Sequence, residues 1–456
     1  MIDNIVKDKI FYKKLFFIAL PVIIQNVISI GLNMVDTVMV SELGENAITA
    51  VGLANRVYFI FSTMCFGIFS GASIFIAQYW GIGDTDNIKK VFGIDLIIGS
   101  TLAIIFSIAV FFFPEQILRI FIDDAYVINL GAQYLRIIAF SYFFTAVSFA
   151  FSFNSRAIHK LKLPTIINGI ALCINTFVNW LLITGNMCAP ALGVQGAAIA
   201  TLISRFLEFL TLLYFIYKDK KHPLAGSFKE FTSWNLTMLK NILKTSLPVI
   251  LSETAWSVGT SVYLISYGFI GSYAIAVVQI STNISDFFQA LFFGIGSACA
   301  VMIGNEIGKN NIDTAFDYSK KFIKITLILS ITLSILLFLF RGQIISFFNL
   351  SESTNYYLNK ALIVFCIYFT PKMFTYLFIC GILRAGGDTK FCMFVDIISI
   401  WLIGVPLSFF AVLVLHLPVH LVMAVVFSEE FLKLFFVLKR YVSKKWINNL
   451  IVDYNL

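Results

Sequence analysis

The sequence predicts an all-α polytopic membrane protein with twelve transmembrane helices in two pseudo-symmetric six-helix bundles, and three observations lead there. The first is composition: of 456 residues, 59% are hydrophobic, only 13% are charged and 49 are phenylalanine, far from the balance of a soluble domain. The second is that apolar runs of the roughly 20 residues a span needs recur twelve times. The third is an internal repeat. Leu20-Pro21-Val22-Ile23 returns as Leu247-Pro248-Val249-Ile250, an offset of 227 positions (21 to 248). Without a gap the same offset pairs Val35 with Val262, Gly44 with Gly271, Ala47-Ile48 with Ala274-Ile275, Phe66-Gly67-Ile68 with Phe293-Gly294-Ile295, and Gly81 with Gly308. One residue further, Arg156-Ala157 meets Arg384-Ala385. Halves with an even number of spans share orientation, so their pseudo-axis runs along the membrane normal and a binding site is expected between them.

The twelve runs lie near 14–40, 48–80, 91–113, 132–153, 164–185, 193–217, 246–267, 274–301, 321–340, 358–380, 391–413 and 419–438. They divide the chain into a first lobe (1–217), a cytoplasmic linker (218–245) that is partly amphipathic, a second lobe (246–440) and a cytoplasmic tail (441–456). The amino end carries Lys7, Lys9, Lys13 and Lys14 and lacks an apolar core followed by a small-residue cleavage site, so no cleaved signal peptide is expected. With that end inside, Lys89-Lys90, Arg156, Lys160, Lys162, Lys218, Lys220, Lys221, Lys309, Arg384 and Lys390 fall in cytoplasmic connections, and the opposite loops offer little beyond Arg119 and Arg341. That asymmetry fixes the orientation. It also accounts for the net charge of +8, through topology and anionic lipid, without any nucleic-acid surface. The seven cysteines show no paired spacing, so neither a disulfide framework nor a zinc site is expected.

The polar residues inside the spans carry the chemistry. In span one, Gln25, Ser29, Asn33 and Asp36 fall within an arc of roughly 80°, a polar stripe on an apolar helix. A carboxylate at such depth costs about 2.5–3.5 kcal/mol to insert, which makes Asp36 a functional candidate. Pro21, on the same helix, frees a backbone carbonyl and permits a bend. Arg56 in span two and Asp95 in span three are further candidates, with cytoplasmic solvation sufficient to explain Asp95. Span five carries Asn168, Asn175 and Asn179 within roughly 40°, a stripe that can meet the one on span one. A carboxylate among amide oxygens can hold a proton or a small hard cation such as sodium. The bland reading of each asparagine is interhelical glue.

In span seven, Glu253 heads a face with Trp256, Ser257 and Thr260, and span eight adds Gln279, Asn283 and Asp286. The offset sets Glu253 opposite Asn26 and Asp36 opposite Tyr263, so the halves differ in chemistry. Lys372 in span ten calls for a carboxylate partner, and Glu253 or Asp286 is expected to supply it. Asp396 in span eleven is another candidate. His416 and His420 have metal-pair spacing, but Pro418 between them indicates an external turn. Gly386-Gly387-Asp388 lacks a Lys-Ser/Thr partner and reads as a loop turn. With no histidine inside a clear span and no Gly-x-Ser-x-Gly elbow, nothing indicates an enzyme.

In order along the chain, Leu20-Pro21, Val35-Asp36-Thr37, Leu43-Gly44, Gly67 through Gly83-Asp84, Arg156-Ala157 and Leu383-Arg384-Ala385-Gly386-Gly387-Asp388-Thr389-Lys390 together resemble the multidrug and toxic compound extrusion (MATE) family, over roughly residues 14–440. The resemblance implies two six-helix bundles around a V-shaped cavity, and a secondary active antiporter exporting organic cations or drugs in exchange for H+ or Na+. It implies no other cofactor. Asp36 matches the family's acidic residue on the first helix, Pro21 the proline where that helix bends, and Asn175 an asparagine of the amino-lobe cation site, with Tyr134 and Thr201 as further matches there. Asn179 stands where many members carry an aspartate. Glu253 matches the acidic residue of the seventh helix, whereas Pro371-Lys372 stands where some members add an aspartate. The expected substrate-facing set is Gln25, Ser29, Asn33, Trp256, Gln279, Asn283, Asp286 and Lys372. The expected setting is a monomer in the plasma (inner) membrane with both termini cytoplasmic. The rival within the same superfamily is a flippase for a lipid-linked saccharide, for which Arg56 and Lys372 would serve as cationic contacts.

Overall fold

The computed structural model of the chain describes residues 2–346 and 352–452, with the side chains of residues 2–7, 33, 34, 37, 45, 188, 272 and 353 outside the description. Among these residues there is no strand. The helices are α1 (Ile2–Ser41), α2 (Glu45–Ile82), α3 (Thr85–Phe112), α4 (Ala125–Ile138 with Ser141–Ala157), α5 (Lys162–Ile183) and α6 (Val194–Lys218) in the first half. The second half has α7 (Leu236–Gly268), α8 (Ser272–Gly308), α9 (Ile312–Ser346), α10 (Glu352–Tyr376, continued by π-helical Leu377–Leu383), α11 (Thr389–Ile397, π-helical Ile398–Gly404 and Val405–Leu413) and α12 (Val419–Phe427 with Glu429–Val442). Among the described residues nine helices are long and apolar enough to cross a membrane, and ten if the two parts of α4, bent by 54°, form one span. The two that fall short are α7 and α12. They carry Ser252-Glu253-Thr254 and Glu429-Glu430-Phe431-Leu432-Lys433, so polar side chains interrupt their apolar runs.

The repeat is visible in the backbone. Gly44 (φ 95°) precedes α2 and its mate Gly271 (φ 135°) precedes α8, each supplying a conformation that side chains resist. After those helices, Gly83 (φ 77°) corresponds to Asn310 (φ 62°), and beyond the fourth spans His159 (φ 61°) corresponds to Gly387 (φ 76°). Asparagine and histidine are among the side chains that tolerate this region best. The turns are therefore shared between halves even where the residues have diverged.

The chain forms two compact units, one of Ile24–Ser246 and one of Met1–Ile23 with Leu247–Leu456. It passes between them inside α1, just after Pro21, and inside α7, just before Pro248. Both prolines sit within continuous helix, where each removes one backbone hydrogen bond.

Within the first of these units, the segment after α6 folds back on α3. A Cβ on Gly93 would lie 2.0 Å from the Phe231 carbonyl oxygen, so only glycine allows that approach. Lys89 Nζ meets Glu230 Oε1 at 2.6 Å, holding the carboxyl at about 2, below its ordinary value. Ser227 and Glu230 form a reciprocal capping box. His222 is buried and its Nδ1 accepts the Leu224 N–H at 3.2 Å. Burial, and then Lys160, lower its pKa to about 4, against the opposing pull of Asp219. The folded imidazole thus stays neutral where the unfolded one charges, so this packing is fully stable above about pH 6.5 and weakens as pH falls toward 4. Limited proteolysis at Lys220-Lys221 should therefore accelerate between pH 7 and pH 4.5, and a His222→Gln variant should lose that dependence.

In the other unit, residues after α12 pack on the loop between α10 and α11. Trp446 is fully buried, with its Nε1 donating to Tyr441 O at 3.2 Å. The Asn448 backbone and side-chain N–H groups both donate to Gly386 O, at 3.1 and 2.9 Å. Asn449 Nδ2 donates to Ile307 O at 3.0 Å, and Arg440 makes a two-pronged pair with Asp388 at 2.6 and 3.1 Å. Gly386-Gly387-Asp388 is a loop turn, as expected, and it is also the floor on which the carboxyl-terminal segment docks.

Candidate functional site

The spacing of Asn168, Asn175 and Asn179 places all three on the buried face of α5, with Pro164, Ile167, Ala171 and Ile183. From that face they meet α1. Asn179 Nδ2 donates to Asp36 Oδ1 at 3.0 Å, and Thr176 Oγ1 donates to the same oxygen at 3.4 Å. With the Asn175 amide turned to satisfy both its ends, its nitrogen donates to Asp36 Oδ2 at 2.9 Å and its oxygen accepts the Thr201 N–H at 3.2 Å. Tyr134, buried on α4, bonds the Thr201 side chain. Five of the expected coupling residues (Asp36, Asn175, Asn179, Tyr134 and Thr201) thus form one contiguous group. Its donors suit an ionised carboxylate, which only accepts.

Two features of this group were not expected from sequence. Arg205 and Glu208 on α6 pair at 2.7 Å, Asn168 Nδ2 donates to Glu208 Oε1 at 2.9 Å, and Arg205 is close enough to attract Asp36. Also, Asn179 Oδ1 is buried and accepts no hydrogen bond. A carboxylate beside a spare amide oxygen is a donor set that fits a small hard cation as well as a proton. Asp36 is only half-buried, so an ion can reach it.

Glu253 lies in the other unit. Its partner is Arg384, at 2.7 Å, with 15% and 3% of the respective side chains exposed. This corrects two expectations: Arg384 is no solvated loop residue, and Lys372 is not the partner of Glu253. Nor does Lys372 pair with Asp286. Among the described residues no carboxylate lies within 4.0 Å of its ammonium, which stands 6.0 Å from the centre of the Phe427 ring, and Asp286 attracts it only at longer range. The π-helical turn explains Arg384. Its N–H bonds Ile379 O, five residues back, a register shift that no residue pattern announces. Asp396 accepts from Ser252 Oγ at 2.5 Å. Around it, Lys433 pairs with Glu429 at 3.3 Å and Glu430 at 3.7 Å, and Tyr263 donates to Glu429 at 2.7 Å. The signal for that cluster was present in span twelve as three charges within five residues.

Of the remaining residues, Ser29 Oγ donates to Gln25 O at 2.8 Å, and the Asn33 side chain lies outside the described residues. Gln279 and Asn283 are exposed and bonded to each other at 3.2 Å, with Asp286 and Trp256 also exposed. Arg56 is exposed. Asp95 corrects another expectation: it is fully buried and takes its bond from Asn154 at 2.6 Å, so packing and not solvation holds it. His416 sits in a left-handed turn (φ 47°) while His420 lies in α12 against Tyr357.

Comparison with known proteins agrees with this architecture. The chain is 25% identical over 407 residues to the probable multidrug resistance protein YoeA of Bacillus subtilis, covering 87% of this chain and 86% of that one. It is 24% identical to the probable multidrug resistance protein NorM of Thermotoga maritima, covering 95% and 93%. Its fold is shared with a multidrug resistance MATE family transporter of the MOP superfamily solved in an outward-facing conformation (TM-score 0.86, 20% identity, 95% and 96% covered). It is shared equally with a MOP superfamily transporter from Pyrococcus furiosus whose binding pocket is described as reversed in polarity (TM-score 0.86, 20% identity, 95% of each chain). The family model MatE matches residues 21–181 and 248–410, one stretch in each half of the repeat. The chain therefore belongs to the MatE family of multi-pass membrane transporters, which are not enzymes.

Proposed function

We propose that this chain is a secondary active antiporter of the plasma membrane that exports organic cations or drugs in exchange for H+ or Na+. The relatives named multidrug resistance proteins support multidrug efflux, and the site adds the coupling step. The observation that carries the reading is the Asp36 carboxylate, half-buried and held by Asn175, Asn179 and Thr176. Ionised, it attracts a cationic substrate. Loaded with a proton or sodium, it is neutral, and the donors around it must rearrange. A ligand shifts two states only by the difference in its affinity for them, and this change of charge supplies such a difference. Pro21 is the proposed point of transmission, since α1 changes unit just after it. Asn179 stands where many members have an aspartate, and the group's other acid, Glu208, is paired with Arg205 at 2.7 Å, which makes the sodium arm of the test informative.

The lobes are assigned as residues 1–217 and 246–440, the termini to the cytoplasm, and the working form to a single chain. Ethidium efflux from vesicles, with the pH gradient and the sodium gradient imposed separately, tests the coupling. One gradient should drive efflux and the other should not; efflux indifferent to both would end the antiport reading.

A further inference from the structure

We propose that the segment closing the first half, from the end of α6 through the short helix Phe228–Phe231, is a binding surface for the headgroups of anionic phospholipid. Three observations carry this. First, the acids of the segment are neutralised internally: Asp219 pairs with Lys160 at 2.9 Å and Glu230 with Lys89 at 2.6 Å. Lys218, Lys220, Lys221 and Lys229 are exposed, and none lies within ion-pair distance of a carboxylate among the described residues. Second, Phe228 is 84% exposed beside Lys229, so most of its ring is left uncovered by the fold. Third, the segment is held, not loose. Tyr217 OH donates to Gly226 O at 2.8 Å, Leu224 is fully buried, and Phe231 rests on Gly93.

An apolar helix that leaves the bilayer at Lys218 brings these lysines to headgroup depth, with exposed Tyr214 and Tyr217 as an interfacial belt. A basic cluster with a free aromatic ring at that depth matches an anionic headgroup over acyl chains. A soluble acidic protein would be served by the charge but not by Phe228.

The test uses the full chain in nanodiscs of phosphatidylcholine containing phosphatidylglycerol, with spin-labelled phosphatidylglycerol and spin-labelled phosphatidylcholine as probes of the lipid in contact with the protein. The wild type should prefer the anionic probe on the order of fivefold, and the preference should fade in high salt. The variant K218Q/K220Q/K221Q/K229Q should lose most of it, and Phe228→Ser part of it. All these side chains are exposed, so folding is spared. No preference in the wild type, or an unchanged one in the quadruple variant, would overturn the assignment, even if an acidic protein were found to bind there.

Discussion

Replacing Asp36 with asparagine should abolish ion-driven efflux while leaving the protein folded and inserted. Asparagine is nearly isosteric, so α1 keeps its packing. Its oxygen can still accept from Asn179, which donates to Asp36 at 3.0 Å. Its amide nitrogen, however, faces the Asn175 donor that sits 2.9 Å from the second carboxylate oxygen. Asn175 can turn its own oxygen toward that nitrogen at the expense of its bond with the Thr201 N–H. The loss in stability is about one hydrogen bond, roughly 1 kcal/mol. The loss in function is of another order, because position 36 no longer changes charge. Gradient-driven ethidium efflux should therefore fall to the undriven leak, with unchanged surface expression and an unfolding temperature lowered only slightly, as a loss of about 1 kcal/mol implies. Full efflux from a well-expressed variant would remove Asp36 from the mechanism.

Gly386→Ala should destabilise the unit that holds α8 to α12 by about 3 kcal/mol, near the lower range for losing a buried tryptophan. The added Cβ would lie 2.0 Å from the Trp446 carbonyl oxygen and 2.9 Å from its carbonyl carbon. Both are backbone atoms that cannot step aside without moving Trp446 and its neighbours. The aromatic stack of Phe316, Tyr441 and Trp446 would open, together with the two Asn448 bonds to Gly386 O. Tryptophan emission should shift to the red and cleavage at Lys444-Lys445 should accelerate. Gly342→Ala is the control, since its Cβ would meet nothing within 4 Å. In an exposed helix that change is neutral or stabilising by up to about 1 kcal/mol. Equal unfolding temperatures for the two variants would contradict the docking role of Gly386.

The spans were legible because burial in lipid imposes long apolar runs, and the halves because the offset of 227 survives at positions where backbone geometry leaves little choice, such as Gly44 and Gly271. The Asp36 group was legible for a similar reason. Its members repeat at helical spacing, so α1 and α5 each show a polar stripe in the sequence itself. What escaped reading depends on contacts between distant segments. Arg205 and Glu208 form a pair within α6, and nothing local says that the pair faces Asp36. Arg384 stands at the end of a span and reads as a loop residue; only the π-helical turn carries it to Glu253. Asp95 likewise sits where water would be expected, and only the packing of α3 against Asn154 shows it buried. Gly386 reads as turn chemistry, because a docking partner sixty residues later leaves no local signature.

The most direct test of the account is to bind substrate and count the ion released. Purified chain in weakly buffered detergent, titrated with ethidium beside a pH indicator or a sodium-sensitive probe, should release protons or sodium in proportion to ethidium bound. The Asp36→Asn chain should bind ethidium more weakly and release neither ion for what it does bind. Release from the variant equal to that of the wild type would show that the ion is held elsewhere, and would contradict the assignment of Asp36 as the coupling carboxylate.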